Sequence, residues 1–220
     1  ADIEKFEVPG SSNTAWAMSS TKYTAKAIET VEQELATSKY GYKYLPSTGI
    51  KTPLSGDYRP EIDPTQELDH QQQNYYQGLI GVLRWICELG RLDIIMPCSL
   101  MSRYLAQARE GHLNQIFHMF GYLKCHKRSK LVFDSDMPYV DESSFTKCDW
   151  AEFYPDAKET MPPDMPKPRG KPIIMSCFVD ADHAGCKATR RSHTGIIIFI
   201  NKAPVIWFSK RQTTVETSTF

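Results

Sequence analysis

The stretch Phe178-Val179-Asp180-Ala181-Asp182-His183-Ala184-Gly185 decides how this chain is read. An apolar run that begins at Ile173 ends here in two carboxylates two residues apart. Side chains alternate faces along a strand, so Asp180 and Asp182 share one side as far as the strand continues. Ile173 to Val179 reads as a buried strand. Aspartates at a strand end most often close turns through nearby backbone groups. They can also hold Mg²⁺, a hard ion that prefers oxygen ligands, and paired ions can clamp a phosphodiester.

Downstream, Gly195 to Ile200 is a second strand and Pro204 to Ser209 a third, with Asn201-Lys202 as the tight turn between them. Strands in direct succession imply an antiparallel meander that needs a covering layer on one face. No helix pattern follows them, so this half is expected to leave apolar surface and strand edges open. Arg190, Arg191 and His193 fall in the loop between the first two strands, where a nucleic-acid backbone can pass. Trp207 reads as a core residue.

Upstream, residues 134 to 172 are rich in Asp, Ser and Pro, and Met161 to Pro168 reads as an extended linker. Ahead of the linker the period changes to that of helices. Tyr75, Leu79, Val82, Leu83, Ile86 and Cys87 form one stripe over residues 70 to 89. A second helix is expected from Ile94 to Ala106. A third runs from Glu110 to His126, with Leu113, Ile116, Phe117, Phe120 and Leu123 at core spacing. Lys124, Lys127, Arg128 and Lys130 cluster at its end, where the helix dipole favours cations, the plainer reading; they could also meet phosphates.

Lys130 to Phe133 reads as a short strand. Near the start, Ser19, Ser20 and Thr21 can cap a helix over residues 19 to 36 that carries Tyr23, Ala27, Ile28, Val31 and Leu35. Thr37 to Pro64 is turn-rich, and residues 1 to 15 read as a turn or frayed entry. The expected class is α+β, divided as 1–69 helix plus loop, 70–133 helical region, 134–172 linker and 173–220 strand region.

Bulk composition narrows the partners. Lys plus Arg and Asp plus Glu stand at 26 each, so only local basic clusters can draw nucleic acid. No apolar run approaches the roughly 20 residues of a membrane helix, and no signal segment opens the chain, so no membrane partner is expected. The six cysteines are scattered without a C-x-x-C pair, which argues against zinc and for buried, reduced thiols of an intracellular protein. Residue 1 is Ala, and the last residues, Thr219-Phe220, lie in a polar stretch; together they suggest an excised piece.

Several segments, in order, resemble the Pol polyprotein of copia-type retrotransposons. The opening Asp180-Ala181-Asp182-His183-Ala184-Gly185 is similar to that family's aspartate-alanine-aspartate-tryptophan-alanine-glycine, with His183 in place of tryptophan. Arg190-Arg191-Ser192-His193-Thr194-Gly195 resembles its basic-serine-threonine-serine-glycine segment, with His193 where a small hydroxyl residue is common. Pro204-Val205-Ile206-Trp207-Phe208-Ser209-Lys210-Arg211-Gln212 and Val215-Glu216-Thr217-Ser218-Thr219 continue the likeness. In the helical half, Tyr75 to Trp85, Arg91-Leu92-Asp93-Ile94, Leu100-Met101-Ser102-Arg103-Tyr104, and His112 followed by Gly121-Tyr122-Leu123-Lys124 match further segments. The likeness covers roughly residues 18 to 220.

The resemblance implies the tail of a reverse transcriptase and its helical connection region, followed by a truncated RNase H-like mixed sheet. It implies RNA-directed DNA synthesis and metal-dependent hydrolysis of RNA in RNA–DNA hybrids as parent activities. Mg²⁺ or Mn²⁺ would be the parent's ion, with Asp180 as the first catalytic ligand and Asp182 beside it. Partners would be a hybrid or template-primer and the remainder of the polyprotein, in a cytoplasmic virus-like particle or the nucleus. The polymerase's tyrosine-x-aspartate-aspartate motif does not occur, and the next RNase H glutamate belongs after Phe220, since Glu216 lies too early. Neither activity is therefore expected to be intact. A non-catalytic nucleic-acid-binding module and a degenerate transposon remnant are the competing expectations.

Overall fold

The computed structural model describes residues 1–11, 13–37, 44–141, 143, 149–156, 160, 162–215 and 217. In chain order its elements are β1 (Asp2–Glu7), β2 (Thr14–Ser19), α1 (Thr21–Thr37), α2 (His70–Glu88), α3 (Ile95–Met101), α4 (Glu110–Cys125), β3 (Leu131–Phe133), β4 (Met175–Ala181), β5 (His193–Ile200) and β6 (Ala203–Arg211). Among the described residues the chain is α+β, with four α-helices and two three-stranded antiparallel sheets, ordered β1-β2-β3 and β4-β5-β6. No described helix is long and apolar enough to cross a membrane.

Local chemistry sets the helix starts. The Asp69 carboxylate accepts from the Gln72 N–H at 2.8 Å, while the Gln72 side chain accepts from the Asp69 N–H at 3.1 Å. This reciprocal cap satisfies two of the donors that a helix start leaves free. The apolar stripe of α2 then buries Tyr76, Leu79, Ile80, Leu83, Ile86 and Cys87. α4 presents Leu113, Ile116, Phe117, Phe120 and Leu123 to the same core, and α1 adds Ile28, Val31 and Leu35. Burial of each large apolar side chain contributes about 1.5–3 kcal/mol, so this three-helix core dominates the fold's stability.

A buried arginine pins the corner between α2 and α3. Arg91 is 1% exposed. It donates from Nε and Nη2 to the two Asp93 carboxylate oxygens, at 2.9 and 2.7 Å, and from Nη1 to the His126 carbonyl at the end of α4, at 2.9 Å. Burial raises the Asp93 pKa, but the Arg91 hydrogen bonds and charge outweigh it and hold the carboxyl below its ordinary range. Close approach also governs Gly121, where an added methyl would overlap the Pro46 carbonyl oxygen.

Several expectations need correction. The strand expected to be buried at Ile173 to Val179 forms as β4, but on the sheet edge, with Met175 73%, Phe178 61% and Val179 62% exposed. An apolar run marks a strand that can be covered and does not supply the cover. Residues 1 to 15, expected as a turn or frayed entry, hold β1, a turn at Gly10 in positive φ (82°) and the start of β2, so the turn is present but its flanks pair as a hairpin. β3 joins the far side of β2, so Leu131 to Phe133 closes that sheet. The helix expected over Ile94 to Ala106 is shorter: α3 ends at Met101 and one 3-10 turn, Ser102–Tyr104, follows.

Trp207 is half-buried rather than core; its Nε1–H donates to the Cys87 carbonyl at 3.2 Å and docks β6 on the helices. The expected turn at Asn201-Lys202 forms with Asn201 at φ 54°, a left-handed conformation asparagine tolerates. Pro204 sits on edge strand β6 beside the register shift at Ile198/Phe199, as its missing N–H requires. Met161 and Glu216 lie outside the described residues.

Candidate functional site

β4 hydrogen-bonds to β5 with Asp180 opposite Gly195, and β5 pairs with β6 on its other side. Nothing lies within 4 Å of where a Gly195 side chain would start, so space is open beside Asp180. Asp180 and Asp182 both line a cavity of about 620 Å³ between the sheet and the α3 corner, where Leu92, Ile95 and Met96 meet the sheet face that carries Ile197 and Trp207. The two carboxylates thus share a cavity, although the strand ends at Ala181.

Their roles separate there. The Asp182 carboxylate accepts from the His193 N–H, and its own N–H donates to the His193 carbonyl at 3.1 Å. A methyl at Gly185 would overlap the same carboxylate. Asp182 therefore closes the loop from 182 to 192, the ordinary work of an aspartate at a strand end. Asp180 is exposed on the edge strand. Among the described residues no three His, Cys, Asp or Glu side chains gather as a metal site.

The expected basic residues are placed unequally. Arg190 has φ 55° and donates from its N–H to the Cys186 carbonyl at 2.7 Å, closing a turn in which Cys186 is buried and Lys187 to Arg190 reach solvent. Arg191 is half-buried. His193 is 6% exposed, and its Nε2 has no hydrogen-bond partner. Burial lowers its pKa, helped by Arg103 and Arg211 and opposed by Asp182. Lys124 is held by Glu32 at 2.5 Å, tying α4 to α1, whereas Lys127 and Arg128 extend into solvent past the helix end.

The sequence reading missed a second group at the seam between the helices and the strands. Arg103, in the turn after α3, donates from Nη2 to the Cys186 sulfur at 3.3 Å across 83 residues of chain. Arg211 lies opposite His193 in the β5–β6 register. Burial lowers the Arg211 pKa, and the charges of Arg103 and Arg191 lower it further. Burial raises the Cys186 thiol, but hydrogen bonds from Thr189 and Arg103 hold it down to about 7. Arg103 and Arg211 both stand inside segments that carry the family resemblance, yet no spacing rule shows that they meet.

No family model matches the chain, and no solved structure matches it. Over 212 residues, 95% of its length, it is 24% identical to a putative transposon Ty5-1 protein of Saccharomyces cerevisiae, and the match spans 54% of that protein. A stretch of 46 residues, 21% of the chain, is 44% identical to an uncharacterized mitochondrial protein of Arabidopsis thaliana, over 19% of that protein. The chain thus spans about half the length of the yeast relative. It is related to a transposon protein along nearly all of its own length, in agreement with the retrotransposon resemblance of its motifs.

Proposed function

We propose that this chain is a section of a copia-type retrotransposon Pol polyprotein, with residues 173–220 contributing to an RNase H-like sheet and residues 70–133 to the connection region of the reverse transcriptase. The observation that carries the reading is the near full-length likeness to a transposon protein, taken with Asp180 at a strand end on an open cavity. In this reading the parent enzyme makes DNA on RNA and hydrolyses RNA in RNA–DNA hybrids, inside the cell, with Mg²⁺ or Mn²⁺ as its ion.

The residues in hand do not fit a two-ion clamp. Among the described residues lining the cavity, Asp180 is the carboxylate free to ligate, since Asp182 is engaged by the loop. Mg²⁺ demands near-octahedral oxygen coordination. We therefore derive no hydrolytic step, and the chain alone is expected to bind a hybrid without cutting it. Of the cations expected to meet nucleic acid, Arg190, Lys127 and Arg128 are exposed, and binding through them weakens with salt.

The test is hydrolysis and binding of a labelled RNA–DNA hybrid with Mg²⁺ or Mn²⁺, for the wild type and Asp180→Asn. Salt-sensitive binding without cleavage is the expected result. Cleavage that disappears in Asp180→Asn would show a completed metal site and overturn the incomplete one argued here. Absence of both binding and cleavage would reduce the chain to an inert remnant.

A further inference from the structure

Arg103, Arg191 and Arg211 come from three separate parts of the chain and bring their charges together at the seam between the Ser102–Tyr104 turn and the end of β6. None of them forms an ion pair with a described carboxylate. Nε and Nη1 of Arg103 are buried without a hydrogen-bond partner, and so are the Tyr104 hydroxyl and the His193 Nε2. The acidic groups within electrostatic reach hold backbone groups and pair with none of the three arginines: Glu61 accepts from the Lys187 N–H at 2.9 Å, and Asp182 from the His193 N–H.

Buried donors without acceptors, and like charges crowded together, both oppose folding. Their coexistence at one seam is accounted for when another molecule supplies the missing negative oxygens. Guanidinium forks match a tetrahedral oxyanion in geometry as well as charge.

We propose that this seam binds a phosphate-type oxyanion, held by Arg103, Arg191 and Arg211 with Tyr104 and His193 as further donors. Arg103, Arg191 and Arg211 are all part-exposed, so the seam can be reached from solvent. In the free protein the Cys186 sulfur stands in as the acceptor for Arg103. That contact, with the Thr189 hydrogen bonds, is what holds the thiol pKa down against burial. Free phosphate and the phosphate of a nucleic acid present the same oxygens, so the site does not depend on the nuclease reading.

The experiment is a titration of the full chain with inorganic phosphate at constant ionic strength, with chloride as the matched control. It is read by the His193 imidazole resonances and by melting temperature. A saturable His193 shift and a phosphate-specific rise in Tm are expected. Affinity should fall at least about tenfold in Arg211→Gln and Arg103→Met, and Cys186→Ser should keep it. Arg211→Gln changes a strand-end side chain and keeps the test valid where Arg103→Met fails to fold.

Competition against a labelled RNA–DNA hybrid then separates the sources. Displacement by phosphate beyond that by chloride assigns the site to a nucleic-acid phosphate, and phosphate binding without displacement assigns it to a free oxyanion. Phosphate that acts like chloride, or an Arg211→Gln protein that titrates as the wild type does, overturns the site. A chain that binds phosphate but no hybrid removes the hybrid contact proposed above and leaves this site standing.

Discussion

The helical core and the β4–β6 sheet are built from equally apolar runs, yet they bury them to opposite extents. Leu83, Ile86, Ile116 and Phe120 are each 0% exposed, whereas Phe178 is 61% and Ile206 49% exposed. The helices have each other: α1, α2 and α4 each offer one stripe, and three stripes enclose a core. The sheet has the short α3 corner on part of one side and an open edge at β4. Apolar pattern therefore specifies an element, and burial follows only where a second surface is present.

The largest expected effect tests that contrast directly. Phe120→Ala should cost about 3–5 kcal/mol, the range for removing a fully buried aromatic. Phe178→Ala should cost no more than about 1 kcal/mol, since the ring is 61% exposed and meets Phe199 edge to face, 5.7 Å between centroids. Denaturant midpoints measure both. Equal losses would mean that β4 is covered in solution, and the contrast would break.

Next comes the corner. Arg91→Met removes a 1%-exposed guanidinium and leaves the Asp93 carboxylate and the His126 carbonyl without their donor. A loss of about 3 kcal/mol is expected, at the low end for breaking a buried pair because Asp93 reaches solvent. Hydrogen exchange should show α2 and α4 loosening together. A variant as stable as the wild type would show that the clamp only decorates the corner.

Exchange in the wild type sharpens the same comparison. Amides of β4 should exchange well before those of α2 and α4, through local opening that leaves the helical core intact. Uniform protection across both regions would place them in one cooperative unit.

How much of this was legible depends on the range of the interaction. α2 and α4 were readable because their apolar stripes lie within one segment: Leu79, Leu83 and Ile86 on α2 and Leu113 to Leu123 on α4 need no distant information, although the expected stripe begins at Tyr75 and Tyr76 is the tyrosine buried. The β1–β2 hairpin was missed because Asp2-Ile3-Glu4-Lys5-Phe6-Glu7 is a polar, mostly exposed edge strand whose pairing depends on β2 and β3. At the site, the Asp180–Asp182 spacing was visible, but the diversion of Asp182 to the His193 N–H depends on a loop closing over eleven residues. The Arg103–Cys186 contact spans 83 residues, beyond any periodicity argument.

The smallest expected effect is a pH dependence shared between the two regions. In the helical core, His112 Nδ1 accepts from the Arg109 N–H at 3.0 Å and Nε2 faces the Pro60 carbonyl at 2.9 Å, so the ring fits as a neutral imidazole donating from Nε2. Burial holds its pKa below the ordinary histidine value, with Arg109 helping and Pro60 and Asp63 opposing. His193 in the strands is lowered by burial as well. Above the unfolded histidine pKa of about 6.5, both groups are neutral folded and unfolded, and they leave stability unchanged. Below it the unfolded chain takes up protons that the folded chain refuses, so stability falls until the folded pKa values are reached. The lowered carboxyls of Asp63 and Asp93 act in the same direction, but their window begins near pH 4, which separates the two contributions. Melting temperature should therefore decline as pH drops from about 6.5 toward 5, and His193→Gln should remove the strand region's share while leaving that of His112. A decline unchanged in His193→Gln would mean that water already reaches His193, and with it the seam where Arg103 and Arg211 meet.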